Sequence, residues 1–319
     1  MHKLVRKLDL FSKPSLAHTA CLLLNCDLDS GTLFRPVVEL LWAQSAVRLA
    51  VDGGANVAHC LAQQGLPLPD LVSGDLDSVS SGSLSWLKEQ GVEVIATPDQ
   101  DLNDYAKALQ IFKDRVDSDI IPPSSIWQLV ALSNSTSRVD HLMASVSTLL
   151  AWTPQLHCPI YHIHGSSLLI TVPAETELEL EQGEGFSGVC GILPLDGPTH
   201  ASSSGLRWEL DGIALEMGKL ISSSNSLRGQ ELKLKTDNSL LLTFELDDAI
   251  SSVQVPTNVW IAVRLNSLRP FIEASAAAEP PKKRPSFIEK QALAIMRDGV
   301  FEASQLPTIT IWNFPRPRP

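Results

Sequence analysis

Between residues 19 and 165, short apolar runs alternate with longer stretches of helical spacing. This alternation limits the possible folds more than any other feature of the chain. Strands are expected at 20–24 (ACLLL), 47–51 (VRLAV), 70–72, 92–96, 126–132 and 160–163. Helices are expected between them, at 33–44, 56–64, 83–90, 102–112 and 139–152, with Leu142, Val146, Leu149 and Leu150 on one face of the last. Strand followed by helix followed by strand is satisfied by a mainly parallel sheet covered by helices, so the first half reads as an α/β domain.

After Gly165 the texture changes. Short segments at 168–172, 177–180, 188–193, 206–209, 219–222, 231–236 and 240–246 are separated by Gly, Pro, Asp and Ser, and several alternate apolar with polar, as in ELKLK at 231–235. This predicts an all-β sandwich, jelly-roll-like in its run of short strands. The expected organisation is an N-terminal segment (1–18), an α/β domain (19–165), a β-sandwich domain (166–248) and a C-terminal extension (249–319). In that extension, 275–285 (SAAAEPPKKRP) has linker composition and 286–297 has helical spacing.

Acidic residues gather where the strands end. Asp52 follows VRLAV and precedes Gly53 and Gly54; Asp75 and Asp77 follow the strand at Leu71, within GDLDS; Asp99, Asp101 and Asp104 follow VEVIA, within TPDQDLND. In a parallel sheet these C-terminal strand ends share one edge, the edge at which open α/β sheets bind ligands. Carboxylates crowded into one cleft raise one another's pKa unless a cation joins them. Mg²⁺ fits that need, because it takes hard oxygen ligands and keeps substrate phosphates in its shell. On an extended segment residues i and i+2 face the same side, so Asp75 and Asp77 can share one ion. Ser78 can cap the following turn or bond a phosphate oxygen, and Gly53 and Gly54 permit close approach to main-chain N–H groups. Lys107, three residues after Asp104, can meet a phosphate. No GxxxxGK[ST] motif is present, which excludes a P-loop.

Composition narrows the partners. The formal net charge is −11, against the basic surface that nucleic acids require. No apolar run reaches the roughly 18 residues that cross a bilayer. Five scattered cysteines without a CxxC pair predict reduced thiols and a cytoplasmic location. Lys3, Arg6, Lys7 and Lys13 read as a frayed basic terminus in preference to a targeting segment. His162 and His164 can share a strand face, but no further ligand pair at zinc spacing accompanies them.

The motifs DGGAN (52–56), GDLDS (74–78), TPDQDLND (97–104) with Lys107, and SRVDHLMASVSTL (137–149), followed by SSGLRWEL (203–210) and LISSSNSL (220–227), resemble those of the thiamine pyrophosphokinase family in order and spacing. The resemblance covers roughly residues 20–246. It implies an enzyme that transfers pyrophosphate from ATP to the hydroxyl of thiamine, releasing AMP. It also implies an α/β domain followed by a β-sandwich, and a homodimer whose active sites are shared between subunits. By motif, Asp75, Asp77 and Asp104 would hold Mg²⁺. Asp52, Gly53, Gly54, Asn56, Ser78 and Gln100, with Arg138 and Asp140, would surround the nucleotide and the reacting groups. Asp104 or Asp140 would take the hydroxyl proton. Trp208, Ser224 and Asn225 would bind thiamine from the partner's β domain, Trp208 by stacking or cation–π contact.

The chain departs from the family pattern before Arg138. A glycine-rich GGxxGR run is replaced by SNSTSR, with Ser133, Asn134 and Ser137 at glycine positions, and Asn103 stands where threonine is common. Residues that need φ > 0 tolerate asparagine better than serine. The alternatives are therefore a catalytically impaired thiamine- or nucleotide-binding relative, or another Mg²⁺-dependent phosphotransfer or phosphohydrolase enzyme.

Overall fold

The apolar runs do form strands, and helices follow them in the expected order. The structure is a computed structural model that describes residues 1–29, 33–134, 138–248 and 250. In chain order its first part contains β1 (His2–Leu8), α1 (Lys13–Ala17), β2 (Thr19–Leu23), α2 (Phe34–Gln44), β3 (Val47–Val51), α3 (Gly54–Gln63), β4 (Leu71–Gly74), α4 (Ser81–Glu89), β5 (Glu93–Ala96), α5 (Asp104–Asp117), β6 (Gln128–Ser133), α6 (Val139–Trp152) and β7 (Ile160–His164). Then come β8 (Ser167–Val172), β9 (Thr176–Gln182), β10 (Phe186–Pro194), β11 (Thr199–Ser204), β12 (Asp211–Leu215), β13 (Ser222–Ser226), β14 (Glu231–Thr236) and β15 (Leu240–Leu246). The C-terminal linker and helix expected at 275–297 lie outside the described residues, as does Ser137.

Six strands form the parallel part of one sheet, in the order β7-β6-β2-β3-β4-β5. The chain steps outward from β2 through β3 and β4 to β5, then crosses back to place β6 on the other side of β2. The switch point of the sheet is therefore the β2/β6 seam. Leu22, Leu49, Leu129 and Ala131 are buried, as expected for strands covered by helices on both faces. Helix α5 packs Leu109 and Phe112 into the same core, and α6 adds Val146 and Leu149.

The sheet does not stop where the sequence texture changes. A hairpin at Gly165, whose φ is +59°, folds β8 back antiparallel on β7. Strands β15, β10 and β13 continue outward, giving ten strands in the order β13-β10-β15-β8-β7-β6-β2-β3-β4-β5. A second sheet of five strands, β1-β9-β14-β11-β12, completes the strand-rich half. It buries Leu178, Leu180, Leu232 and Leu234 on one face and exposes a charged ladder on the other.

Three expectations need correction. The N-terminus is not frayed: β1 pairs parallel with β9 over His2–Leu8, with Lys3 bonded to Glu179 at 3.0 Å and Leu8 fully buried. The segment 206–209 is not a strand: Leu206 makes a single bridge to Leu227, and the chain then bends where the Asn225 carboxamide binds both the N–H and the carbonyl of Trp208. The segment 219–222 enters a strand only at Ser222, because Glu216 N–H donates to the Leu220 carbonyl and closes a turn first.

Candidate active site

The carboxylates converge at the C-terminal edge of β3, β4 and β5. Asp52, Asp75 and Asp104 each present an oxygen within 4.8 Å of the others. Local conformation puts them there. Asp52 takes φ +44°, an unusual value for a non-glycine residue, and its N–H donates to the Ser73 carbonyl at 2.7 Å. Gly74, at φ +141°, lies so close that a Cβ there would stand 2.9 Å from the Cβ of Asp52. Asp104 opens α5, with Asn103 as N-cap accepting from Ala106 N–H at 2.8 Å. Asn103 also donates to Thr148 Oγ1 at 2.9 Å, which ties α5 to α6. The asparagine in place of threonine thus keeps the cap and adds a tether.

The group is held by hydrogen bonds. Asp75 N–H donates to Asp104 Oδ1 at 3.2 Å, and Gln100 Nε2 donates to Asp75 Oδ2 at 3.1 Å. The Gln100 bond, with help from the Asp77 N–H, holds the Asp75 carboxyl below its ordinary range. Asp52 Oδ1 accepts from Ser78 N–H at 3.2 Å. Asn56 clasps the same loop, donating to the Ser78 carbonyl at 2.8 Å and accepting from Ser80 N–H at 2.9 Å. Asn56 and Ser78 therefore shape the loop around the acids.

Asp77 lies outside this group. It is exposed, and its Oδ1 accepts the Ser78 hydroxyl at 2.8 Å. Pairing residues 75 and 77 on one side requires an extended segment, but Leu76 adopts φ +68° and turns the chain between them. The third carboxylate comes from Asp52 on the neighbouring strand.

Lys107 is also placed differently from expectation. Its ammonium is buried and bonds Asp104 Oδ1 at 2.6 Å and the carbonyls of Thr97 and Asp99 at 2.9 Å each. An ammonium has three N–H groups, and all three are used. The glycines serve packing: a Cβ on Gly54 would lie 2.0 Å from the Leu23 carbonyl, and one on Gly53 would strike the Asn25 side chain at 2.6 Å. Their small size lets α3 and its lead-in approach β2.

At the switch point, Asn134 follows β6 and is buried. Its Oδ1 accepts from Asp27 N–H at 2.8 Å and its Nδ2 donates to the Asp27 carbonyl. This side chain continues the β2/β6 pairing beyond the strand ends. Ser133 Oγ lies 2.8 Å from His162 Nε2 and 2.9 Å from His164 Nδ1. The two departures from glycine therefore both have partners here. Arg138 and Asp140 form an exposed pair through Nε–Oδ1 at 2.8 Å, which pushes the Asp140 carboxyl down to about 2. Asn134 stands out in the sequence only as a departure from glycine, while Asn25 and Asp27, the partner in its clamp, do not stand out. Their one signal is that ACLLLN is the most apolar run of the half and so marks the central strand.

A second group forms far away. Trp208 is 56% exposed, and its backbone is gripped by buried Asn225, whose Nδ2 donates to the Trp208 carbonyl at 2.7 Å. Arg207 lies over the indole at 4.7 Å, and Ser224 is exposed beside Asn225 on β13. Glu209 steadies this corner by accepting from Ser203 Oγ at 2.6 Å and Gly205 N–H at 2.9 Å. Strand β13 is one edge of the ten-stranded sheet, and the acids lie near the other, eight strand spacings away at β4. At about 4.8 Å per spacing, the path across the sheet is nearly 40 Å.

Comparison with known proteins agrees with this arrangement. Residues 38–161 match the family model described as thiamin pyrophosphokinase, catalytic domain, and residues 175–241 match its vitamin B1 binding domain. Thiamin pyrophosphokinase 1 of Caenorhabditis elegans is 29% identical over 213 residues, covering 66% of this chain and 83% of that protein. Thiamine pyrophosphokinase 2 of Arabidopsis thaliana is 28% identical over 258 residues, covering 72% and 93%. Among solved structures, the thiamin pyrophosphokinase from Candida albicans superimposes with a TM-score of 0.64 at 18% identity, covering 76% of this chain and 93% of that one. The yeast enzyme gives 0.65 at 19% identity, covering 78% and 93%. These structural likenesses establish the shared fold.

Proposed function

Because the chain belongs to the thiamin pyrophosphokinase family, we propose that it makes thiamine diphosphate by transferring pyrophosphate from ATP to the hydroxyl of thiamine. The hydroxyl oxygen bonds to the β-phosphorus, the bond from that phosphorus to the α–β bridging oxygen breaks, and AMP leaves with the bridging oxygen. The observation that carries the reading is the convergence of Asp52, Asp75 and Asp104 at the ligand-binding edge of the parallel sheet.

That triad fits Mg²⁺. All donors are hard carboxylate oxygens, and adjacent ligands around Mg²⁺ stand about 3 Å apart, so a set already within 4.8 Å needs to close by no more than about 2 Å, within reach of side-chain rotation. A bound Mg²⁺ would neutralise charge on the phosphoryl oxygens. Asp52, Asp75 and Asp104 would hold it, and Asp77, exposed on the same loop, is left to reach it through water. Gln100 orients Asp75, while Asn56 and Ser78 fix the loop that carries it. Asp140, paired with Arg138 and held to about 2, is a poor proton acceptor, and Asp104, bonded to the Lys107 ammonium and placed to hold the metal, is no freer to take the hydroxyl proton. Arg138, exposed and paired with Asp140, would meet the nucleotide's phosphates.

Thiamine is an aromatic cation, and exposed Trp208 with Ser224 and Asn225 offers it a stacking face. The placement of Trp208 beside one edge strand of the ten-stranded sheet and of the acids near the opposite edge supports a homodimer in which each site takes its acids from one subunit and its tryptophan from the other. Among the described residues no helix is long and apolar enough to cross a membrane. Five scattered cysteines without a CxxC pair support a reducing, cytoplasmic setting.

The test is a product assay with protein, ATP, Mg²⁺ and thiamine. We expect thiamine diphosphate and AMP in equal amounts. ADP or free phosphate without thiamine diphosphate would point instead to another phosphotransfer or phosphohydrolase enzyme, and tight binding without turnover to an impaired relative. Asp75→Asn is expected to cut kcat by about 100-fold or more while circular dichroism stays native.

A further inference from the structure

We propose that Lys107 is a positioning residue, the built-in counter-cation that keeps the acidic triad and its flanking turn assembled. This deepens the metal-site reading and rests on it. Three observations carry it. The ammonium is buried, with the side chain 8% exposed, and its three N–H groups end on Asp104 Oδ1, Thr97 O and Asp99 O, so none is left for a phosphate. Asp104 Oδ1 is at the same time the acceptor of Asp75 N–H, so the ammonium acts on the triad through a shared oxygen. The two carbonyls belong to the turn that carries Gln100, and Gln100 in turn donates to Asp75 Oδ2. One cation thus grips both supports of Asp75.

The charge arithmetic points the same way. Three carboxylates and one ammonium leave a net charge of −2, which one divalent cation balances. Without the lysine the triad would hold three negative charges in a cleft whenever no metal is bound, and like charges that close either take up protons or move apart. The i, i+3 spacing on α5 places Lys107 under Asp104 for this purpose.

The experiment uses the full-length protein with Lys107→Met and the double variant Asp104→Asn/Lys107→Met. Thermal midpoints are measured in EDTA and in saturating Mn²⁺, Mn²⁺ binding is followed by electron paramagnetic resonance, and the KM for ATP is measured for Lys107→Met. In EDTA, Lys107→Met is expected to melt about 5–15 °C below wild type, because it leaves a carboxylate without its buried partner. Mn²⁺ should raise its midpoint by more than it raises that of wild type, since the metal then supplies the missing counter-charge. The double variant should recover at least half of the loss in EDTA. A double variant no more stable than Lys107→Met overturns the proposal. So does an unchanged midpoint in EDTA accompanied by a tenfold or greater rise in the KM for ATP, which would make Lys107 a phosphate contact. If wild type binds no Mn²⁺ at all, the metal reading fails, and the stability coupling measured in EDTA still decides the role of Lys107.

Discussion

At the scale of single residues, polar side chains substitute for features the chain lacks. Asn134 stands where the family carries glycine, yet its carboxamide grips both backbone groups of Asp27 and closes the β2/β6 seam. We therefore expect Asn134→Gly to loosen the loop rather than restore it, with the KM for ATP rising about 3- to 10-fold and a loss of about 1–2 kcal/mol on urea unfolding, the cost of two part-buried hydrogen bonds to the exposed Asp27 backbone. A more active, equally stable glycine variant would refute this account. Next to it, burial lowers the pKa of His162 to about 3. In the unfolded chain that ring titrates near 6.5. The unfolded state therefore binds a proton that the folded state refuses, and the contribution of His162 to stability is full above pH 6.5 and erodes as pH falls toward 3. Between pH 6.5 and 5, above the carboxylate range, stability should fall by up to about 1.4 kcal/mol per pH unit. Urea midpoints across that window test this, and His162→Gln should flatten the slope.

At the scale of elements, the alternation of apolar runs gave β2 to β7 and α2 to α6 in order, because strands buried on both faces leave an unbroken apolar signature. The same reasoning missed β1, β11 and β12. In β11 the run THASSS buries only Thr199 and Ala201 deeply, and in β1 four of the seven residues, His2, Lys3, Arg6 and Lys7, are basic, so the stretch resembles a tail. Those strands exist because a neighbour completes them. For β1 that neighbour is β9, whose Glu179 and Glu181 face Lys3 and Lys7. Exposed ion pairs of this kind contribute little, so Lys3→Gln should change stability by less than about 1 kcal/mol. Removing residues 1–8 takes away a whole strand and the buried Leu8, and should lower the thermal midpoint by about 5 °C or more. Equal midpoints for the truncated and full chains would show that β1 is dispensable.

At the scale of the molecule, one continuous ten-stranded sheet separates the acidic cluster from the Trp208 corner. The acids lie near its β5 edge and Trp208 beside its β13 edge. The sheet is open, with β13 and β5 as its separate edges, so the proposed homodimer would bring the acids of one copy to the Trp208 corner of the other. This makes a sharp prediction for mixtures. Asp75→Asn and Trp208→Ala dimers, each inactive alone, should regain up to about a quarter of wild-type activity after subunit exchange, because half of the dimers are then mixed and each carries one intact site. No recovery, with subunit exchange verified, would place both groups in one subunit's site.

The sequence alone determined the α/β order, the strand-rich second half, the family and the carboxylate-bearing strand ends. All of these are encoded in local periodicity or in short contiguous motifs. Tertiary structure decided which carboxylates meet. Asp52 and Asp104, separated by two strands of sequence, join Asp75, while Asp77, two residues away, turns aside at Leu76. It also decided that Lys107 faces inward to Asp104 and two carbonyls, and that Asn134 makes up for a missing glycine. The physical reason is common to all three. Proximity along the chain fixes neither φ nor the partner of a polar group, and both are settled only when strands from distant parts of the sequence align at one sheet edge.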